Sequence, residues 1–112
     1  MAERGERIGR NEAVFRQVNE RLREIGEGFS VVSEQAEFVC ECADTACAEP
    51  IRMSLAEYER IRATPEFFIV RPGHETQDVE SVVERHEGYD VVRKREGEPA
   101  RLARELNPRN PE

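Results

Sequence analysis

Three cysteines and one histidine are the residues of this chain whose types and spacing indicate shared chemistry. Cys40, Cys42 and Cys47 are all the cysteines that the chain has, and they fall within eight residues. In an extended segment, side chains at positions i and i+2 share one face, so Cys40 and Cys42 can both point to one ion. The four residues before Cys47 allow the loop to return a third thiolate. His74, which follows a Pro-Gly turn, is the predicted fourth ligand.

This ligand set predicts a structural Zn2+ site. Closed structural zinc sites take four tetrahedral ligands from Cys and His, and three Cys with one His is a known set. An iron–sulfur cluster fits less well, because such clusters are usually held by four cysteines. His86 competes with His74 for the fourth position, and the carboxylates of Glu41, Asp44 and Glu75 are weaker alternatives. In the absence of a metal, the thiols would be unliganded or simply packed.

The sequence favours a structural metal over a catalytic one. His74 and Glu75 begin like a zincin helix, but that motif needs a second His four residues after the first, and position 78 is Asp. The sequence also lacks a Gly-rich phosphate loop, a Gly-x-Ser-x-Gly motif and a Cys-x-x-Cys redox pair. No catalytic residue is therefore predicted.

Length and composition explain why a metal would be useful here. The chain has 112 residues, of which 37% are charged, and it has no Trp, so one domain with a modest core is expected. Small domains often depend on a metal or an oligomer interface. The sequence has no apolar run of membrane-span length and no signal-peptide segment at its start, so a reducing, cytoplasmic location is expected. Free thiols persist in such a compartment.

The charge distribution argues against nucleic acid as the main partner. The formal net charge is −7, and residues 34–90, which include the cysteines, hold fourteen acids against five Arg. Phosphate contacts dominate nucleic-acid affinity, and an acidic centre repels them. Another protein, or a second copy of the chain, is the expected partner.

The elements that must position these ligands form an α+β pattern. A helix is predicted over 10–27, with an apolar stripe of Val14, Val18, Leu22 and Ile25, widened by Phe15. Gly26 and Gly28 are typical of a helix end. The stripe is expected to face the core, and docking on a partner is the alternative. The opposite, polar face consists of Arg16, Glu20, Arg23, Glu24 and Glu27.

The central part of the chain predicts a small antiparallel sheet and a short second helix. Apolar segments at 38–40, 51–53 and 67–70 indicate strands, and Ser54 with Glu57 forms a capping box that begins a helix ending before Pro65. A hairpin is predicted over 81–93 because of its β-branched residues, with a helix over 77–85 as the alternative. The predicted units are a helical segment with its linker at 1–33, a zinc-binding core at 34–94 and a disordered tail at 95–112, with residues 1–8 frayed.

Taken together, several of these motifs resemble a family of small uncharacterised actinobacterial proteins. The resemblance rests on residues 38–42, Cys47, the Leu55-x-Glu57-Tyr58 helix, and residues 67–70 leading to Pro72-Gly73-His74-Glu75. It extends over residues 10–94 through a helix like 10–25 and a Val-Val hairpin like 82–92. The resemblance implies no activity. It does imply that the three cysteines and His74 act as one unit.

The function that these features favour is a zinc-stabilised interaction or regulatory module. One alternative is a redox or metal sensor, in which oxidation of the thiolates releases the metal. A small zinc hydrolase is a weaker alternative, because it would require an open ligand position.

Overall fold

The fold consists of helices and antiparallel strands, which confirms the α+β class. The computed structural model describes residues 2–28, 35–44, 46–47 and 49–109. The described elements are α1 (Ala2–Gly28), β1 (Gln35–Val39), β2 (Pro50–Ser54), α2 (Leu55–Arg62), β3 (Phe67–Val70), β4 (Glu80–His86), β5 (Tyr89–Lys94) and α3 (Glu98–Glu105). Most of the predicted linker, residues 29–34, lies outside the described residues. Within the described ranges, none of the helices has the length and apolarity that crossing a membrane requires.

The strands divide into two sheets rather than the single sheet that the sequence predicts. β1 and β2 form an antiparallel pair in which Phe38 lies opposite Ile51. β3, β5 and β4 form an antiparallel sheet in that order, with a bulge between Val82 and Glu84. The β4–β5 hairpin is the one predicted, so the helical alternative for 77–85 is wrong. Buried apolar side chains from both sheets and from α2 form one core.

The predicted capping box supplies the start of α2. Ser54 is the N-cap, and its hydroxyl accepts a hydrogen bond from the amide of Glu57 at 3.1 Å. The Glu57 carboxylate does not complete the box; it accepts instead from Arg60 and from the hydroxyl of Tyr89. The helix buries Tyr58 and Ile61, and both side chains belong to the core.

Helix α1 packs through its polar face, so the predicted orientation of its apolar stripe is wrong. Val14 and Val18 are 57% and 41% exposed. The helix instead buries Ile8 and Ala13 together with four polar residues, namely Glu12, Arg16, Asn19 and Glu20. Phe15 and Leu22 are half-buried. The side chains of Ile25 and Glu27 lie outside the described part. The helix begins at Ala2, inside the segment 1–8 that the sequence predicts to be frayed.

Each buried polar residue of α1 has partners elsewhere in the fold, which explains why this face can be buried. Arg16 donates to the carbonyls of Pro65 and Ala103 at 2.7 and 2.8 Å, and its guanidinium lies 4.4 Å from the centre of the Phe68 ring. Burial lowers the pKa of Arg16 to about 10, so the guanidinium stays charged at neutral pH. Buried polar groups are tolerated when they are hydrogen-bonded in this way.

Glu12 belongs to a buried group of three charged side chains. Lys94 donates to the carboxylates of both Glu12 and Glu80, and all three residues are at most 3% exposed. Burial raises the pKa of Glu12 well above its ordinary value, and the neighbouring Glu80 raises it further, while Lys94 opposes both effects. Two carboxylates therefore share a single cation in the interior.

We expect Glu12→Gln to stabilise the protein at neutral pH. A carboxyl group whose pKa is raised by folding favours the folded state in acid, and this contribution is lost as the pH rises above the ordinary value. Gln does not ionise, so the variant should gain roughly 4–8 °C in Tm at pH 7.5, the shift expected for about 1 kcal/mol in a domain of this size. The gain should shrink toward pH 4. A constant difference between the two melting curves at every pH, or no gain beyond that of the exposed control Glu37→Gln, would contradict the assignment.

Helix α3, Glu98–Glu105, lies within the segment 95–112 that the sequence predicts to be a disordered tail. α3 buries Ala100, Leu102 and Ala103. It packs on α1 at Gly9, where an added Cβ would lie only 2.9 Å from a Leu102 methyl carbon. Beyond α3, Arg109 donates to Glu20 of α1 and to Glu59 of α2. Residues 110–112 lie outside the described chain.

Candidate metal centre

The cysteine loop connects the two strands of the first sheet and lies against the edge of the second. The amide of Cys40, just after β1, donates to the carbonyl of Glu49, just before β2, at 2.9 Å. The next amide, that of Glu41, donates to the carbonyl of Ile69 in β3 at 2.8 Å. Within the loop, the amide of Cys47 donates to the carbonyl of Asp44. These bonds bring the cysteine loop into contact with the end of β3.

The second loop of the site follows β3 and carries His74. The amide of Arg71 donates to the sulfur of Cys40 at 3.2 Å, which joins the two loops directly. The amide of His74 donates to the carbonyl of Arg71 at 3.0 Å, closing a turn. Gly73 has φ +86°, a conformation that side-chain-bearing residues rarely adopt. The Pro-Gly turn therefore directs His74 back toward the cysteines.

The four predicted ligand side chains converge. One candidate ligand atom from each of Cys40, Cys42, Cys47 and His74 lies within 4.8 Å of the other three. Nδ1 of His74 lies 3.6 Å from the sulfur of Cys40 and 3.7 Å from that of Cys47. A tetrahedral Zn2+ with bonds of about 2.3 Å to sulfur and about 2.0 Å to nitrogen places these atoms about 3.6 Å apart. The cluster is able to hold a metal ion, with His74 binding through Nδ1.

The site has a buried side and an exposed side. Cys40 and Cys42 are 0% and 2% exposed, whereas Cys47 is half-buried and His74 is exposed. An open cavity of about 540 Å³ borders Cys42 and His74 and extends to Arg7 and Asn11 of α1. Burial raises the pKa values of the Cys40 and Cys42 thiols. Buried thiolates would therefore need a cation, and a metal would enter from the His74 side.

Two of the alternative ligands, His86 and Asp44, lie elsewhere or are engaged otherwise. His86 is in β4, where its Nε2 lies 2.8 Å from Glu84 and its ring stacks on Tyr89. It belongs to a separate group with Glu57 and Glu84, whose carboxylates both accept from Arg60. Asp44 caps its own loop by accepting from the amide of Ala46. The structure thus brings His74, and not His86, to the cysteines.

Glu41 has a role that sequence reasoning missed. Although it lies between two candidate ligands, its carboxylate accepts from Asn19 at 2.7 Å, from the amide of Ile69 at 3.0 Å and from Arg62 at 3.4 Å. It is fully buried. In an extended Cys-x-Cys segment, successive side chains point to opposite faces. This alternation is the sequence signal that the Glu41 side chain points away from the two cysteine side chains.

The comparisons with known proteins assign this chain to no group. No family model, curated protein or solved structure matches it. The class of protein that the fold and site define is a small α+β domain with a cluster of three cysteines and one histidine that is able to hold a metal.

Proposed function

We propose that this protein is a zinc-binding domain in which the metal is structural, held by Cys40, Cys42, Cys47 and His74. The observation that carries the proposal is the separation of His74 Nδ1 from the Cys40 and Cys47 sulfurs, 3.6 and 3.7 Å, which matches the edge of a zinc tetrahedron. Thiolate sulfurs are soft donors and imidazole nitrogen is a borderline donor. This set suits zinc, whereas magnesium and calcium prefer oxygen ligands.

The arrangement supports a structural role over a hydrolytic one. Four side chains converge, and a four-ligand site leaves no position for a reactive water. The site also joins parts of the chain that are distant in sequence, because its ligands come from the β1–β2 loop and from the loop after β3. A metal there would hold the two sheets together.

The wider role that we propose is an interaction or regulatory module whose partner is another protein or a second copy. Support comes from α1, which leaves Val14 and Val18 exposed on the outer surface while its polar face is buried. The acidic centre of the sequence disfavours nucleic acid. A reducing, cytoplasmic compartment would keep the thiols available for metal.

A redox or metal sensor is the second candidate, and one specific observation favours it. Cys47 is half-buried, and its sulfur lies 3.7 Å from Nδ1 of the exposed His74. Oxidants react with accessible thiolates. Zinc release at peroxide doses that leave ordinary zinc-bound thiolates intact would support a sensor. If no zinc is released at these doses, only the structural role is supported.

Metal content after purification without chelator tests the primary proposal. We expect native mass spectrometry to find one zinc per chain. His74→Ala should keep the fold and bind zinc at least tenfold more weakly, because His74 is exposed and its loss leaves the three thiolates in place. His86→Ala is the matched control and should bind like the natural chain. Unchanged affinity in His74→Ala, or an equal loss in both variants, would contradict the ligand assignment.

A further inference from the structure

The strand segment that carries the first ligands is held from behind by helix α1. Asn19 donates to the carbonyl of Val39 and accepts from the amide of the same residue, both at 2.8 Å. The Asn19 amide also donates to the Glu41 carboxylate at 2.7 Å. A second contact lies closer to the start of the helix, where Asn11 donates to the carbonyl of Ala43 at 3.3 Å. Helix α1 thus contacts the ligand segment on both sides of Cys40 and Cys42.

Glu41 is the point at which these contacts meet the second sheet. Its carboxylate receives the Asn19 amide from α1, the Arg62 guanidinium from α2 and the Ile69 amide from β3. Its backbone amide donates to Ile69 as well. A buried carboxylate held by three elements has little freedom, and the neighbouring residues, Cys40 and Cys42, are constrained with it. Partners of this kind orient metal ligands without touching the metal.

The interface between α1 and the rest of the fold is largely polar, which makes the docking of α1 sensitive to movement of the ligand segment. The helix buries Glu12, Arg16, Asn19 and Glu20, and few apolar side chains of α1 contribute to the core. Hydrogen bonds depend strongly on geometry, whereas apolar contacts tolerate small displacements. A shift of the ligand segment would therefore weaken the docking of α1 more than it would weaken an apolar interface.

We propose that metal occupancy and the docking of α1 are coupled, with Asn19 and Glu41 as the positioning residues that connect them. The inference rests on the proposed zinc site. An ion that fixes Cys40 and Cys42 also fixes Val39 and Glu41, the acceptors that hold Asn19. Removal of the ion frees the segment and loosens the helix. Coupling between two equilibria is reciprocal, so loosening the helix lowers metal affinity by the same factor.

Hydrogen exchange on the natural chain tests the coupling without any substitution. The amides of α1 should exchange at least tenfold faster after chelation, while those of β4, the edge strand that β5 separates from β3, should change much less. Equal protection of α1 in both states would overturn the proposal. Uniform loss of protection throughout the chain would also overturn it, since it would show global unfolding in place of selective release of the helix.

Zinc affinity, measured by competition with a chromophoric chelator, tests the named residues. Asn19→Ala and Glu41→Gln should each bind about 10–100-fold more weakly, the usual range for groups that orient metal ligands. Gln17→Ala, an exposed position on the same helix, is the control for helix content. Val92→Ala, in the core of the second sheet, is the control for general destabilisation. Both controls should bind zinc like the natural chain.

The double variant completes the test. If Asn19 and Glu41 act through their mutual hydrogen bond, the two substitutions together should weaken zinc binding by less than the product of their separate effects. Full additivity, or unchanged affinity in either single variant, would refute the connection. Absence of zinc binding in the natural chain is a different outcome, because it would remove the proposed zinc site itself.

Discussion

Cys40→Ser should lower the melting temperature by about 20 °C or more, the shift that corresponds to roughly 5 kcal/mol in a domain of this size. Cys40 is fully buried, and its sulfur lies next to His74 and accepts the amide of Arg71. Serine is a poor zinc ligand, so the variant loses a metal contribution to folding that reaches the order of 10 kcal/mol in small zinc domains. We expect a smaller loss here, because the apolar core of both sheets stays buried without the metal. Thermal unfolding followed by circular dichroism measures the effect.

Chelation of the natural protein provides the matched comparison for Cys40→Ser. A chelator should lower the melting temperature of the natural chain to that of the variant and have no further effect on the variant itself, because both remove the same ion. An unchanged melting temperature in Cys40→Ser, or a chelator effect that persists in the variant, would show that the stability of this fold does not depend on a metal at Cys40.

Arg16→Ala should cause the second largest loss, about 3–5 kcal/mol in the free energy of unfolding, because it removes two hydrogen bonds from a charged donor, each contributing about 1.5–3 kcal/mol. The substitution leaves the carbonyls of Pro65 and Ala103 without their donor and removes the guanidinium from the Phe68 ring. It also opens a cavity beneath α1. Urea unfolding of the zinc-loaded protein measures the change.

Arg16→Lys separates the role of the charge from that of the geometry. A lysine keeps the positive charge but lacks the planar fork that reaches two carbonyls at once. We expect the lysine variant to recover only part of the stability lost in Arg16→Ala. Complete recovery would show that charge alone suffices, and a loss below about 1 kcal/mol in Arg16→Ala would contradict the bridging role of the guanidinium.

Local signals in the sequence predicted most of the elements around the site. The Ser54 cap, the strand at 67–70 and the hairpin over 81–93 each depend on neighbouring residues, and the structure contains all three. The α+β class follows from these elements. Zinc itself, the cytoplasmic location and the resemblance to an actinobacterial family remain predictions.

The periodicity of apolar residues in the sequence did not predict the orientation of α1. The apolar stripe through Val14 and Val18 indicates a core-facing side, yet both valines are largely exposed. The opposite face is buried because Arg16 and Asn19 find acceptors that lie far along the chain, on Ala103 and Val39 for example. A hydrophobic pattern carries no information about such partners.

The packing of α3 was not predicted for a similar reason. A short helix with two leucines is marginal by itself in water. Leu102 becomes buried because Gly9 of α1 allows close approach, and Arg109 is held by Glu20 and Glu59. The stability of α3 is therefore a property of the tertiary contact and not of residues 98–105 alone.

The candidate site was predicted more completely than the fold around it. The cysteine spacing and the Pro-Gly turn indicated the four side chains that the structure brings together, although the choice between His74 and His86 needed coordinates. The buried contacts of Glu41 were not predicted, because its three partners come from three elements.

X-ray absorption at the zinc edge of the purified, unchelated protein tests the central claim most directly. A structural site made by Cys40, Cys42, Cys47 and His74 predicts a shell of three sulfurs at about 2.3 Å and one nitrogen at about 2.0–2.1 Å. The same spectrum from His74→Ala should lose the nitrogen contribution of the imidazole ring. A natural protein without zinc, or with a shell dominated by oxygen and nitrogen, would contradict the claim.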